Sequence, residues 1–283
     1  MNKITYKVLI FISLLSANGS MLAQKIMLYG TSPESYVVDV LELALSYSPD
    51  KTLQVETYLG ELPKTRAFEN MRSGKEIDVV FGGATKEREQ AHLPIRYPLL
   101  KGLNGWRIPL IHKKSDFDFS SVSSIEQLRA FKAGSYYNWS DTDVMLSNDL
   151  PVVKASNYAA LYSMLERKRF DYFPRSILEI DGDYDSYQHL DIKINNDLII
   201  YYPTAYYFYV RKDNTELAEV IKTGLLKAHN DGSLDSLFLQ HHGEKIKRYT
   251  ENNPTIIRLS NTFLSSETPD ENSDFWYQLP EED

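Results

Sequence analysis

Thr85 and Arg88 are the residues in this chain whose types and spacing point most directly to chemistry. A threonine can cap a helix by accepting from the backbone N–H three residues on, and an arginine there presents a planar fork of donors that matches a carboxylate. On residue types alone, a local ion pair on a helix surface is the commoner role for such an arginine. Gly82 and Gly83 come just before, and a glycine pair lets something approach the backbone closely. Arg175, followed by Ser176, is a second arginine, and two arginines facing one cleft would favour a solute with two anionic groups. Trp139, with Tyr136 and Tyr137 beside it, offers either one wall of a cleft or a piece of core. Glu34, Asp141 and Glu179 are the carboxylates that would do acid–base chemistry if they faced such a cleft. The sequence has no Gly-x-Ser-x-Gly elbow, no His-Glu-x-x-His helix and no Gly-x-x-x-x-Gly-Lys loop, so the common catalytic signatures all fail.

Those residues need elements to hold them. Ile77 to Phe81 is a short apolar run bounded by Gly74 and by Gly82-Gly83, which reads as a buried parallel strand. In open α/β sheets, ligands gather beyond the carboxyl ends of such strands, which is where Thr85 and Arg88 fall. Upstream, Lys25 to Tyr29 reads as a strand. Ser32 is placed to cap the helix after it, with Pro33 at its first position, and Val37, Val40, Leu41, Ala44 and Leu45 recur at helical spacing. A second strand at Leu53–Tyr58 and a helix at Lys64–Ser73 continue the alternation, so the fold class is α/β with right-handed crossovers.

Gly74, Asp78, the apolar run, Gly82-Gly83, Thr85-x-x-Arg88 and Arg96-Tyr97-Pro98, in that order, resemble the bacterial periplasmic solute-binding protein family that serves polar amino acid transporters. Further matches extend the resemblance over roughly residues 25 to 250. It implies a two-lobed type II binding-protein fold with two crossings between lobes. Residues 24–110 and 203–250 would form lobe 1, and 111–202 lobe 2. It implies that Arg88 grips a carboxylate, that Tyr36 packs on the ligand, and that the helix starting at Ser140, with Asp141 in its first turn, offers backbone N–H groups. The strand Trp106–His112 corresponds to the first crossing, and its Pro109 suits an edge or hinge. Amino acid binders of the family carry an acid for the ligand's ammonium where this chain has Ser176. A buried ammonium without a partner is costly, so Asp141, Glu179 or Glu34 replaces that acid, or the ligand is not a plain α-amino acid.

The expected function is capture of a small carboxylate-bearing solute by a monomer, with an inner-membrane ABC permease or sensor as partner, no cofactor and no covalent step. A small periplasmic dehydratase on the same fold is the alternative. Lys3, Lys7, the apolar run Val8–Leu15 and the exit Met21-Leu22-Ala23 read as a signal peptide over residues 1–23, which implies export to the periplasm. The chain has no cysteine, which excludes disulfides, thiolate metal sites and a lipidated cysteine anchor. Its net charge of −8 and lack of a basic stripe exclude nucleic acid as a partner. Residues 251–283 hold eight acids against Arg258 alone, and read as a loosely attached acidic extension with Phe263, Phe275, Trp276 and Tyr277 as the side chains able to dock it. Asp181–Ser186 imitates the opening of a calcium loop but lacks the glycine at the sixth position, and reads as an acidic surface loop without metal. His241 and His242 read as solvated.

Overall fold

A computed structural model describes residues 23–30, 35–117 and 119–278. The expected signal segment before Ala23, the cap and helix start at Ser32 and Pro33, and the candidate acid Glu34 lie outside these residues. The chain alternates as expected through β1 (Gln24–Tyr29), α1 (Tyr36–Ser46), β2 (Leu53–Thr57), α2 (Lys64–Arg72), β3 (Val79–Gly83), α3 (Lys86–Ala91) and β4 (Leu93–Ile95). It then enters β5 (Trp106–His112), α4 (Ile125–Leu128), β6 (Ala133–Tyr136), α5 (Ser140–Ser147), β7 (Val152–Ala155), α6 (Tyr158–Glu166) and β8 (Tyr172–Ser176). After these come α7 (Ile180–Tyr187), β9 (Ile192–Ile194), β10 (Leu198–Tyr201), β11 (Tyr206–Val210), α8 (Thr215–Asn230), α9 (Ser233–Thr250) and β12 (Thr255–Arg258).

Two sheets result. The first has the order β2-β1-β3-β11-β4, parallel from β2 to β3 and antiparallel around β11. The second has the order β12-β10-β5-β8-β6-β7, with β9 also against β5. Strand alternation divides the core as the pleat requires. In β3, Val79 and Phe81 face the main core while Val80 faces a second cluster, and in β11 Phe208 and Val210 face the main core while Tyr207 and Tyr209 face that same cluster. Helices α1 and α8 pack on each other so closely that a Cβ at Gly224 would lie 2.0 Å from the Ala44 carbonyl oxygen. Among the described residues, no helix is long and apolar enough to cross a membrane.

Three expectations are corrected. β5 is a central strand of the second sheet, so lobe 2 begins near residue 106 and the first crossing is the stretch 96–105 before it. Pro109 is tolerated in the sheet's middle because its carbonyl accepts from Asn195 N at 2.9 Å. Its nitrogen points the same way, toward the 195–197 turn between the stretches paired with β9 and β10, so no ladder bond is lost. Asp181–Ser186 is helical, within α7, where Asp183 pairs with Arg175 and Asp181 with Arg248 instead of facing solvent as a loop. His241 and His242 lie in α9; His241 pairs with Asp39 at 2.8 Å, and burial, with the neighbouring His241 adding to it, pushes the His242 pKa down to about 4.

The largest correction concerns residues 251–278. β12 adds a parallel edge to β10, register Leu198 to Thr255 through Tyr201 to Arg258. The chain then runs back across the hinge, and Trp276, 3% exposed, is buried among Ala67, Phe68, Met71 and Tyr207 of the first lobe. Thus the two expected crossings, at 96–105 and 202–205, are joined by two further passages between the lobes, through α9 into β12 and back through this strap.

Candidate functional site

A cleft of about 650 Å³ lies between the two sheets. Lobe 1 contributes Lys64 at the start of α2, Gly83 and Ala84 at the carboxyl end of β3, and Thr85 and Arg88 around the start of α3. Thr85 caps α3 by accepting from Arg88 N at 3.2 Å, which fixes the arginine one turn from the strand end. The Arg88 guanidinium donates to the Gly83 carbonyl and lies 5.2 Å over the Phe68 ring. Lys64 Nζ lies 5.7 Å over the Phe81 ring. Among the described residues neither cation has a carboxylate within ion-pair distance. Burial, with the Arg88 charge adding to it, holds the Lys64 pKa down to about 8.

The floor is built by the crossings. Arg107, 4% exposed at the start of β5, donates to Asp141 Oδ1, and the Tyr202 hydroxyl donates to the same oxygen. Burial works against the Arg107 charge, but Asp141 and the neighbouring tyrosines outweigh it and its pKa is raised. Burial, with the Asp141 charge adding to it, pushes the Tyr206 hydroxyl up to about 12; that hydroxyl accepts from Asn104 Nδ2 at 3.1 Å. Arg107 Nε and Thr204 Oγ1 are buried there without a hydrogen-bond partner.

Lobe 2 supplies Trp139, Asp141, Asp143, Arg175 and Glu179. Arg175 is not a free cation. It donates to Asp183 Oδ2 at 2.5 Å and to Glu179 Oε2 at 2.8 Å, and lies 4.9 Å over the Trp139 ring. Asp143 lines the cleft, exposed on the first turn of α5.

The structure therefore brings together Thr85, Gly83, Arg88, Trp139, Asp141 and Arg175, and leaves three expected site residues out. Tyr36 is buried in lobe 1, donating to the Leu99 carbonyl at 2.9 Å and packing edge-on to Phe238 and His242. Gly82 faces Phe68, whose ring would sit 3.1 Å from an added Cβ. Ser176 is fully buried in β8, where its hydroxyl accepts from Leu178 N at 3.2 Å. Arg175, one residue earlier, lines the cleft in its place.

Sequence reasoning missed Lys64, Arg107, Tyr202 and the strap. Three strap residues, Asn261, Phe263 and Leu264, line the cleft. A signal existed for Arg107, because one charge inside the apolar strand Trp-Arg-Ile-Pro-Leu-Ile-His requires a buried partner. Among the described residues, no group of three or more His, Asp and Glu is arranged to hold a metal ion.

Two sheets, multiple hinge passages and a cleft at strand ends define the two-lobed fold of type II periplasmic binding proteins. No protein-family model and no curated protein sequence matches the chain. Solved structures do. The probable amino-acid ABC transporter extracellular-binding protein ytmK from Bacillus subtilis is similar at TM-score 0.58 and 16% identity, covering 78% of this chain and 99% of its own. An ancestral arginine-binding protein bound to arginine is similar at TM-score 0.53 and 20% identity, over 77% of this chain and 97% of its own. A histidine kinase sensor domain with similarity to periplasmic binding proteins matches at TM-score 0.54 and 14% identity, over 78% of this chain and 96% of its own. At these identities the likeness is one of fold.

Proposed function

We propose that this chain captures a small anionic or zwitterionic solute, an amino acid or a related carboxylate, between its lobes for delivery to an inner-membrane ABC permease. One observation carries the reading: Lys64 and Arg88 line the lobe 1 wall of the cleft with no carboxylate partner among the described residues. Two uncompensated cations in a partly desolvated cleft are unfavourable alone and favourable around an anion. The opposite wall carries Asp143, exposed and without an ion pair among the described residues, a carboxylate suited to an ammonium on the same solute. Asp141 and Glu179, which a dehydratase would need as acid or base, are each tied to an arginine, which favours binding over proton transfer. The likeness to an arginine-binding protein and to a transporter's extracellular-binding protein supports the transport reading. The likeness to a histidine kinase sensor domain supports a second reading, in which the closed form signals to a membrane sensor.

The test is thermal unfolding of the chain from residue 24 onward against amino acids, dicarboxylates and small peptides, repeated with Arg88→Ala. A solute that binds only the folded state raises the midpoint with concentration. A rise that vanishes in the variant supports capture. No rise with any candidate sinks it and favours a protein partner, and consumption of the solute during the assay favours an enzyme.

A further inference from the structure

We propose that the C-terminal strap is the specificity wall of this cleft, and that Phe263 and Leu264 select a solute whose end away from the Arg88 and Lys64 cations is apolar. The inference rests on the solute-capture reading and adds what the far end of the solute is.

The strap backbone is pinned on both sides of Phe263. Upstream, Ser260 and Asn148 at the end of α5 bond reciprocally: Ser260 N donates to Asn148 Oδ1 at 3.0 Å and Asn148 Nδ2 donates to the Ser260 carbonyl at 2.8 Å. Asn261 Nδ2 donates to the carbonyl of Pro203 in the second crossing at 2.9 Å, and its Oδ1 accepts from Phe263 N at 3.1 Å. Lys86 of α3 reaches the Thr262 carbonyl at 3.2 Å. Downstream, Glu267 pairs with Arg96 at 2.9 Å, and Trp276 is buried in lobe 1. Residues 260–264 are thus held by lobe 2, the hinge and lobe 1 together. On this fixed backbone Phe263 is 45% exposed, and it and Leu264 line the same cleft as Arg88 and Trp139. A large apolar side chain exposed over a cleft is unfavourable in water and gains by covering an apolar group, here opposite the Arg88 and Lys64 cations. The strap lies beyond the stretch that carries the sequence resemblance, so this wall is supplied by the chain's own addition to the fold.

The test is isothermal titration of the chain from residue 24 onward with L-phenylalanine, L-leucine, L-serine and L-aspartate, for the native sequence, Phe263→Ala combined with Leu264→Ala, Phe263→Leu, and Arg88→Ala. Neither strap side chain is fully buried, and thermal unfolding without solute checks that the variants stay folded. L-phenylalanine or L-leucine should bind about tenfold or more tighter than L-serine, and the double alanine variant should lose about tenfold for them while leaving L-serine within about twofold. Phe263→Leu should restore most of the affinity. A native chain that prefers L-serine or L-aspartate, or a double variant that binds the apolar amino acids unchanged, overturns the strap's role while capture stands. No binding of any of the four overturns the strap's preference for an apolar amino acid, with capture of another carboxylate still tested by the unfolding series; binding that survives Arg88→Ala overturns the capture reading and this one with it.

Discussion

Arg107 and Asp141 form an ion pair in the floor of the cleft that joins the first strand of lobe 2 to the start of α5, and the Tyr202 hydroxyl, from the second crossing, completes it. The guanidinium is 5% exposed, so its charge depends on this one carboxylate. The pair leaves Asp141, in the first turn of α5, with its carboxylate already committed to Arg107. Its charge is spent on lobe architecture.

Asp141→Asn should therefore destabilise the chain strongly. It leaves a buried guanidinium against a neutral amide, which costs about 3 kcal/mol. Urea unfolding should show a lower midpoint at unchanged slope. Adding Arg107→Met should recover part of the loss; a double variant weaker than the single one would show that the pair is not coupled in this way.

Lys64 gives a pH dependence of definite sign. Its folded pKa is lowered to about 8, by burial first and Arg88 second, so the unfolded chain holds that proton more tightly. The group therefore destabilises the fold fully below pH 8, and the destabilisation is relieved as pH rises from about 8 toward the ordinary lysine value. Lys64→Met should raise stability at pH 7, by on the order of 1–3 kcal/mol after allowance for its partial exposure, with the gain vanishing by about pH 10. The same variant should weaken binding of an anionic solute. Equal stability of the two proteins at pH 7 would refute the placement.

Trp276 anchors the strap. Gly102, at φ +82°, meets it so closely that an added Cβ would lie 2.7 Å from the indole. Trp276→Ala should cost about 3–5 kcal/mol and expose residues 260–275 to proteases. Cleavage elsewhere first, with the strap intact, would show that the anchor lies elsewhere.

Gly224 marks the contact of α8 with α1, where no side chain fits beside the Ala44 carbonyl. Gly224→Ala adds helix propensity but forces the helices apart, for a net loss of about 1–3 kcal/mol measured by urea unfolding. A gain would mean that the helices slide freely.

The early βα alternation was legible because period and punctuation coincide: the apolar run ending at Phe81, the glycine pair, and the Thr85 cap fall where the structure has them. Arg175 was legible as a cleft residue, but its ion pairs were not, because Asp183 sits eight residues on in a run that imitates a calcium loop. Tyr36 was placed in the cleft from the family resemblance, and helix α1 begins at that residue and turns its ring inward. Pro109 misled because the strand order that excuses it is a long-range fact, set by where β9 and β10 meet β5. The strap was read as loose from its composition, since acids, Asn, Ser and Pro dominate it. Yet one short β-branched run, Thr255–Arg258, and one tryptophan are enough to hold it at both ends.

β12 completes the second sheet from a position more than fifty residues after β10, its pairing partner. Synthesis of the chain therefore delivers every other strand of both sheets before the edge of the second can be covered. Until then β10 shows an open edge of apolar residues, Leu198, Ile199 and Ile200, ready to pair with the wrong strand. Order of emergence from the ribosome makes the final docking of the strap the step that commits the fold, and a nascent chain stalled before residue 255 is the species most prone to aggregate.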